Sequence, residues 1–167
     1  MARNIEIKAR VDDLAALRLK VTALTDTPTV LLQTDTFFIV ASGRLKLRRF
    51  ADDTGELIFY QRPDDSGPKE SSYTRYSSAE PDVLCALLAR TLGVRSVVEK
   101  RREVFMVGRS RIHLDEVREL GTFIEIEVVL EDGESAAAGE RVARQLMATL
   151  GISESSLVAG AYVDLLA

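Results

Sequence analysis

Two short stretches of the chain carry charged side chains at every second position. They are Asn4-Ile5-Glu6-Ile7-Lys8-Ala9-Arg10 and Phe123-Ile124-Glu125-Ile126-Glu127-Val128. In an extended strand this alternation puts the charges on one face and the apolar side chains on the other. Asn4, Glu6, Lys8 and Arg10 then share a face, as do Glu125 and Glu127. Lys46 and Arg48, Arg62 beside Tyr60, Lys100 and Arg102, and Arg111, His113 and Asp115 repeat the pattern. Carboxylates supply the hard oxygens that Mg2+ or Mn2+ takes. Lysines and arginines neutralise a polyphosphate, arginine through a fork that bonds two oxygens at once. Such a face suits a divalent cation and a polyanion held together.

Phosphoryl transfer asks a protein mainly for positioning and charge stabilisation, so no dedicated nucleophile is required. The chain carries no Gly-rich phosphate loop and no Ser/His/Asp or Cys/His arrangement. Any one alternating strand is more often a plain solvated face, and a lone strand histidine such as His113 is more often structural. The weight lies in several strands sharing the pattern.

These faces must be positioned by a fold with many strands. Extended patterns cover 3–11, 33–40, 44–50, 56–62, 71–78, 95–107, 110–117 and 121–131. Asp52-Asp53-Thr54-Gly55 marks a hairpin turn, and 63–68 is a polar loop. Helical spacing appears at 12–24, with Asp12 as the cap and Leu14, Leu17, Val21 and Leu24 as its stripe. A second helix opens at Pro81 and closes at Gly93, and a third runs over 134–150, with Val142, Leu146, Met147 and Leu150 apolar and Gly151 as its stop. The strands' apolar faces need cover, which the helices supply. The fold class expected is α+β: a closed or nearly closed antiparallel tunnel of about eight strands with helices outside and the charges lining the bore.

At 167 residues the chain fits one domain over 1–167 with a real core. A net charge of −4 argues against a nucleic-acid partner, while local cations leave room for a small anion. Cys85, the one cysteine, sits in an apolar helical run and is expected in the core. A lone cysteine makes no intrachain disulfide, and no apolar run reaches the roughly 20 residues of a membrane span. A cytoplasmic location and no membrane partner are expected.

The ordered set of motifs resembles the CYTH superfamily, the triphosphate tunnel metalloenzymes, with its strongest likeness to the class IV (CyaB-type) adenylate cyclase branch. The opening signature Glu-x-Glu-x-Lys stands here as Asn4-Ile5-Glu6-Ile7-Lys8. Gly43 to Arg48, Glu56 to Pro63, Val98 to Arg102, Ile112 to Val117, Gly121 to Glu127 and Gly160 to Leu166 follow in order. The resemblance implies an eight-stranded tunnel holding a triphosphate with Mg2+ or Mn2+. By position it assigns Glu6, Asp115, Glu125 and Glu127 to metal, and Lys8, Lys46, Arg48, Arg62, Lys100 and Arg102 to phosphates, with Arg75 as a further candidate. Lys8, Arg48, Lys100 and Arg102 are the expected catalytic cations. Asn4 replaces the first glutamate of the signature, offering a carbonyl oxygen without charge. The family often forms dimers, so a homodimer is compatible with the resemblance.

Two activities follow from the resemblance: conversion of ATP to cyclic AMP and pyrophosphate, or hydrolysis of tripolyphosphate, a nucleoside triphosphate or thiamine triphosphate. A polyphosphate- or nucleotide-binding module without turnover is a third reading, supported by Asn4. An open sheet with a charged surface and no ligand is the plainest.

Overall fold

The computed structural model describes residues 2–166; the two ends of the expected 1–167 domain lie outside them. The strands are β1 (Ala2–Arg10), β2 (Thr29–Phe38), β3 (Arg44–Phe50), β4 (Gly55–Gln61), β5 (Lys69–Ser78), β6 (Val94–Val107), β7 (Ser110–Val117) and β8 (Gly121–Val129). The helices are α1 (Leu14–Thr22), α2 (Pro81–Leu92), α3 (Ala136–Leu150) and the single turn α4 (Tyr162–Leu165). Among the described residues the strands close into a barrel in the order β1-β5-β4-β3-β2-β6-β7-β8. Every neighbouring pair is antiparallel.

Closure sorts each strand by parity. Ile5, Ile7, Ile112, Leu114, Ile124, Ile126 and Val128 point outward and are almost fully buried. They pack against Leu17 and Val21 of α1 and Ala143, Met147 and Leu150 of α3. The main apolar core therefore lies between barrel and helices, and the polar parity faces the bore. Gly139 lets α3 approach closely: a Cβ there would stand 2.6 Å from Ile5 and 2.7 Å from Leu130. Ser135 caps α3 by accepting from the Ala138 amide, and Gly151, at φ 71°, ends it.

A second core closes one end of the barrel. Ala161, Tyr162 and Val163 pack with Phe37, Tyr60, Val98 and Phe123. The tail is tied down by the Val158 amide donating to Lys8 O at 2.9 Å, and by Asp164, which pairs with Arg44 and Arg95 at 2.7 Å each.

Some sequence expectations differ from the structure. The α1 cap is Asp13, whose carboxylate accepts from the Ala16 amide, because the helix begins at Leu14, two residues later than the pattern suggests. Leu24 falls beyond that helix and is exposed. Cys85 is half-buried and outside both cores, because α2 buries only Pro81. No helix among the described residues is long and apolar enough to cross a membrane.

Candidate active site

The polar parity encloses a cavity of about 300 Å³ inside the barrel. Of the residues expected there, Asn4, Glu6, Lys8, Lys46, Arg48, Arg62, Lys100, Arg102, Arg111, His113, Glu125 and Glu127 line it, with Arg75 exposed on its wall. Arg10 does not reach it. Near the end of β1 it is exposed over the Phe123 ring, outside the residues that line the cavity.

On one side three cations meet at a carboxylate absent from the expected set. Arg48 donates to Asp35 from Nε and Nη2 at 2.8 Å each, and Lys100 Nζ donates to Oδ2 at 2.8 Å. Lys46 Nζ lies 3.1 Å from the same oxygen. Register makes this possible: Asp35 faces Arg48 across β2–β3 and Val98 across β2–β6, with Lys100 one inward step along β6. Burial alone would raise the Asp35 pKa, but Arg48, Lys100 and Lys46 overcome it and hold the carboxyl well below its ordinary value. Burial, with Arg48 beside it, lowers Lys46 to about 8. Burial also takes Lys100 well below its ordinary value.

The opposite side is acidic. Glu125 faces Lys8 across β1–β8 and His113 across β7–β8; Glu127 faces Glu6 and Arg111 in the same two ladders. Lys8 Nζ stands 3.4 Å from Glu125 and 3.8 Å above the Tyr162 ring. Arg102 lies 3.3 Å from Glu125, and Arg111 lies 3.0 Å from Glu127. Burial raises both glutamates, and their polar neighbours more than reverse it: Lys8, Arg102 and the His113 side chain act on Glu125, the His113 side chain and Arg111 on Glu127. Both carboxylates are therefore ionised at neutral pH and able to ligate a cation.

Ligand atoms of His113, Glu125 and Glu127 all lie within 4.8 Å of one another. The chemistry of this donor set, two carboxylates and an imidazole around a polar cavity, fits a divalent metal ion. Two buried atoms in the same cavity, Asn4 Oδ1 and His113 Nδ1, have no hydrogen-bond partner.

Two expected metal ligands lie outside this three-residue cluster, although Glu6 lines the same cavity. Glu6 is in contact with Arg62, outside the three-residue cluster. Asp115 is fully buried: Arg102 donates to both its oxygens at 2.7 Å, and the Tyr162 hydroxyl donates to Oδ2 at 2.7 Å. With both oxygens engaged, Asp115 anchors Arg102 and the tail, and its assignment to a metal does not fit this geometry.

Sequence reasoning missed Asp35, Gln33 and Tyr162, which line the cavity, and the buried Lys69 beside them. In Gln33-Thr34-Asp35-Thr36-Phe37-Phe38 both parities are polar and then both are aromatic, so alternation could not tell inside from outside. Lys69 lies between the expected loop and the expected strand, yet it begins β5 opposite Glu6. Burial, then Arg62 and Lys8, lowers it to about 8. Tyr162 reaches the bore only because the tail folds back across the barrel end, which no local pattern records.

The CYTH domain family model matches residues 2–162. The chain belongs to the CYTH domain family. This CYTH domain is 25% identical over 171 residues to adenylate cyclase CyaB of Aeromonas hydrophila, covering 95% of this chain and 86% of that protein. Its fold is similar to that of the PH1012 protein of Pyrococcus horikoshii OT3, at a TM-score of 0.88 and 22% identity over 97% of this chain and 98% of that one. It is also similar to HpAC1 of Hippeastrum, described with a dominant triphosphatase activity, at a TM-score of 0.66 and 17% identity over 91% and 89% of the two chains. The barrel with helices outside is thus the CYTH tunnel fold.

Proposed function

We propose that this CYTH domain is a divalent-metal-dependent enzyme acting on a triphosphate held in the bore, with the class IV adenylate cyclase reaction, ATP to cyclic AMP and pyrophosphate, as its chemistry. The observation that carries this is the meeting of Lys8, Lys46, Arg48, Lys100 and Arg102, from three strands, with Glu125 and Glu127 around one cavity. Glu125 and Glu127 would hold the metal, which when bound neutralises phosphate charge and acts as a Lewis acid.

The protein's own groups do the rest. Lys46, Arg48 and Lys100 already converge on Asp35, so they are placed to turn their remaining donors onto phosphate oxygens. Arg102 is fixed by Asp115 and stays charged, because Asp115 and Glu125 outweigh its burial. As the ribose 3′-hydroxyl gives up its proton to water and its oxygen bonds to the α-phosphorus, the bond to the bridging oxygen breaks, and the electron pair leaves with pyrophosphate. Fixed cations stabilise that charge without reorganising. The name of the Aeromonas relative supports this reading.

A second reading is hydrolysis of tripolyphosphate or another triphosphate by water. The cavity of about 300 Å³ favours it, being at the low end of ligand sites, roughly 300–1,000 Å³, where a compact phosphate chain fits. The activity described for the Hippeastrum protein points the same way.

One assay separates them. Purified protein is incubated with ATP or tripolyphosphate plus Mg2+ or Mn2+, and products are resolved by chromatography. Cyclic AMP with pyrophosphate is expected. Free phosphate alone would establish the triphosphatase, and tight binding without product would reduce the domain to a binding module.

A further inference from the structure

We infer that His113 is a nitrogen ligand of the bound ion, and that this CYTH domain therefore prefers a first-row transition ion to Mg2+, with affinity rising from Mn2+ to Co2+. The inference rests on the proposed reading in that Glu125 and Glu127 supply the carboxylates.

Three observations carry it. His113 Nδ1 is buried without a hydrogen-bond partner, on a side chain only 6% exposed. An orphaned buried polar atom costs about 1–3 kcal/mol, so its retention calls for an occupant. The same nitrogen lies 3.6 Å from a Glu125 oxygen and 3.8 Å from a Glu127 oxygen. Those separations exceed an ordinary hydrogen bond. They lie between the roughly 3 Å of adjacent donors and the roughly 4.4 Å of opposite donors around an ion bound at about 2.1–2.2 Å.

The hard-oxygen supply is reduced. Asn4 brings no charge, and Glu6 is engaged by Arg62. With imidazole in the set, ions that accept nitrogen readily gain over Mg2+, which takes oxygen and water.

The test uses the full chain with any affinity tag removed, so that His113 is the 1 histidine present. Mn2+ is added alone and, separately, with tripolyphosphate, and electron spin echo modulation is recorded. Modulation from an imidazole 14N then has a single source and is expected in wild type. It should vanish in His113→Ala and His113→Asn. Calorimetry should show a loss of Mn2+ affinity of about 10-fold or more in both variants, with Mg2+ affinity moving less than about 2-fold. Co2+ should bind wild type more tightly than Mn2+.

Mn2+ that binds without 14N modulation, and equally well in both variants, overturns the role of His113 while leaving the carboxylate site intact. Mn2+ that fails to bind with or without tripolyphosphate defeats the metal-dependent reading together with this one. The wild-type modulation decides the matter even where a variant does not fold.

Discussion

The Tyr162 hydroxyl donates to Asp115 Oδ2 at 2.7 Å, joining the tail to a carboxylate that already accepts two bonds from Arg102. Tail closure and cation placement are therefore one structure. Removing one member of a buried charge pair leaves the other uncompensated, at about 3–5 kcal/mol. Asp115→Ala should lose about that much in denaturant unfolding, and Tyr162→Phe about 1 kcal/mol, for one hydrogen bond. A Tyr162→Phe loss as large as that of Asp115→Ala would show that the hydroxyl, not the ion pair, dominates.

Asp35 competes with phosphate for the same three cations. Asp35→Asn leaves Lys46, Arg48 and Lys100 close together with no counter-ion, so the free protein should lose stability by about 3 kcal/mol. Tripolyphosphate restores the missing negative charge. Its effect on Tm should consequently be larger in Asp35→Asn than in wild type. A smaller or equal rise would mean that the cations turned towards Asp35 never meet the phosphate chain.

Glu127→Ala removes one of the two carboxylates proposed for the ion and frees Arg111 and His113. Turnover should fall on the order of 100-fold or more, with the far-UV circular dichroism spectrum unchanged. Wild-type rates in this variant would remove Glu127 from the mechanism.

Gly139 sits in the first turn of α3, where alanine would ordinarily gain up to about 1 kcal/mol. Here a Cβ at 2.6 Å from Ile5 and 2.7 Å from Leu130 would overpack the contact between α3 and β1, at about 1–3 kcal/mol. Gly139→Ala should lower Tm, and Leu130→Val, which removes the Cδ2 that the new Cβ would meet, should cost less in Gly139→Ala than in wild type. A Tm above wild type would show that the helix shifts outward freely.

Lys46 and Lys69 both lie near pH 8, lowered chiefly by burial. Below that pH they are charged, and Lys46, which lines the cavity, attracts phosphate; above it they are neutral. Affinity for metal-free tripolyphosphate should fall as pH rises through about 8 towards 10. Their contribution to stability runs the other way: the unfolded lysines titrate near 10.5, so between these values the unfolded chain binds more protons and this contribution rises with pH. Affinity that holds constant to pH 10 would mean that Lys46 does not meet the anion.

Much of the fold was legible because strands facing a charged bore on one side and apolar helices on the other carry strong period-two contrast. Glu6 and Lys8, Lys100 and Arg102, and Glu125 and Glu127 could be placed inward from parity alone. Asp35 could not, since its neighbours on both faces are polar. Asp115 was legible as inward but not as engaged, because its partners Arg102 and Tyr162 lie 13 and 47 residues away.

The amino-acid order by itself determined the inward parity of the strands with clear polar–apolar contrast, since alternation along a strand is a local property of extended backbone. It also determined the hairpin at Asp52 to Gly55 and the stops at Gly93 and Gly151. Only the tertiary structure decided which inward charges pair with one another, because barrel register and tail closure set those distances. That pairing makes Asp35 the counter-ion of three cations, takes Glu6 and Asp115 out of the cluster, and leaves His113 beside Glu125 and Glu127. Parity is written in consecutive residues, whereas the neighbours of a buried charge are supplied by strands distant in sequence.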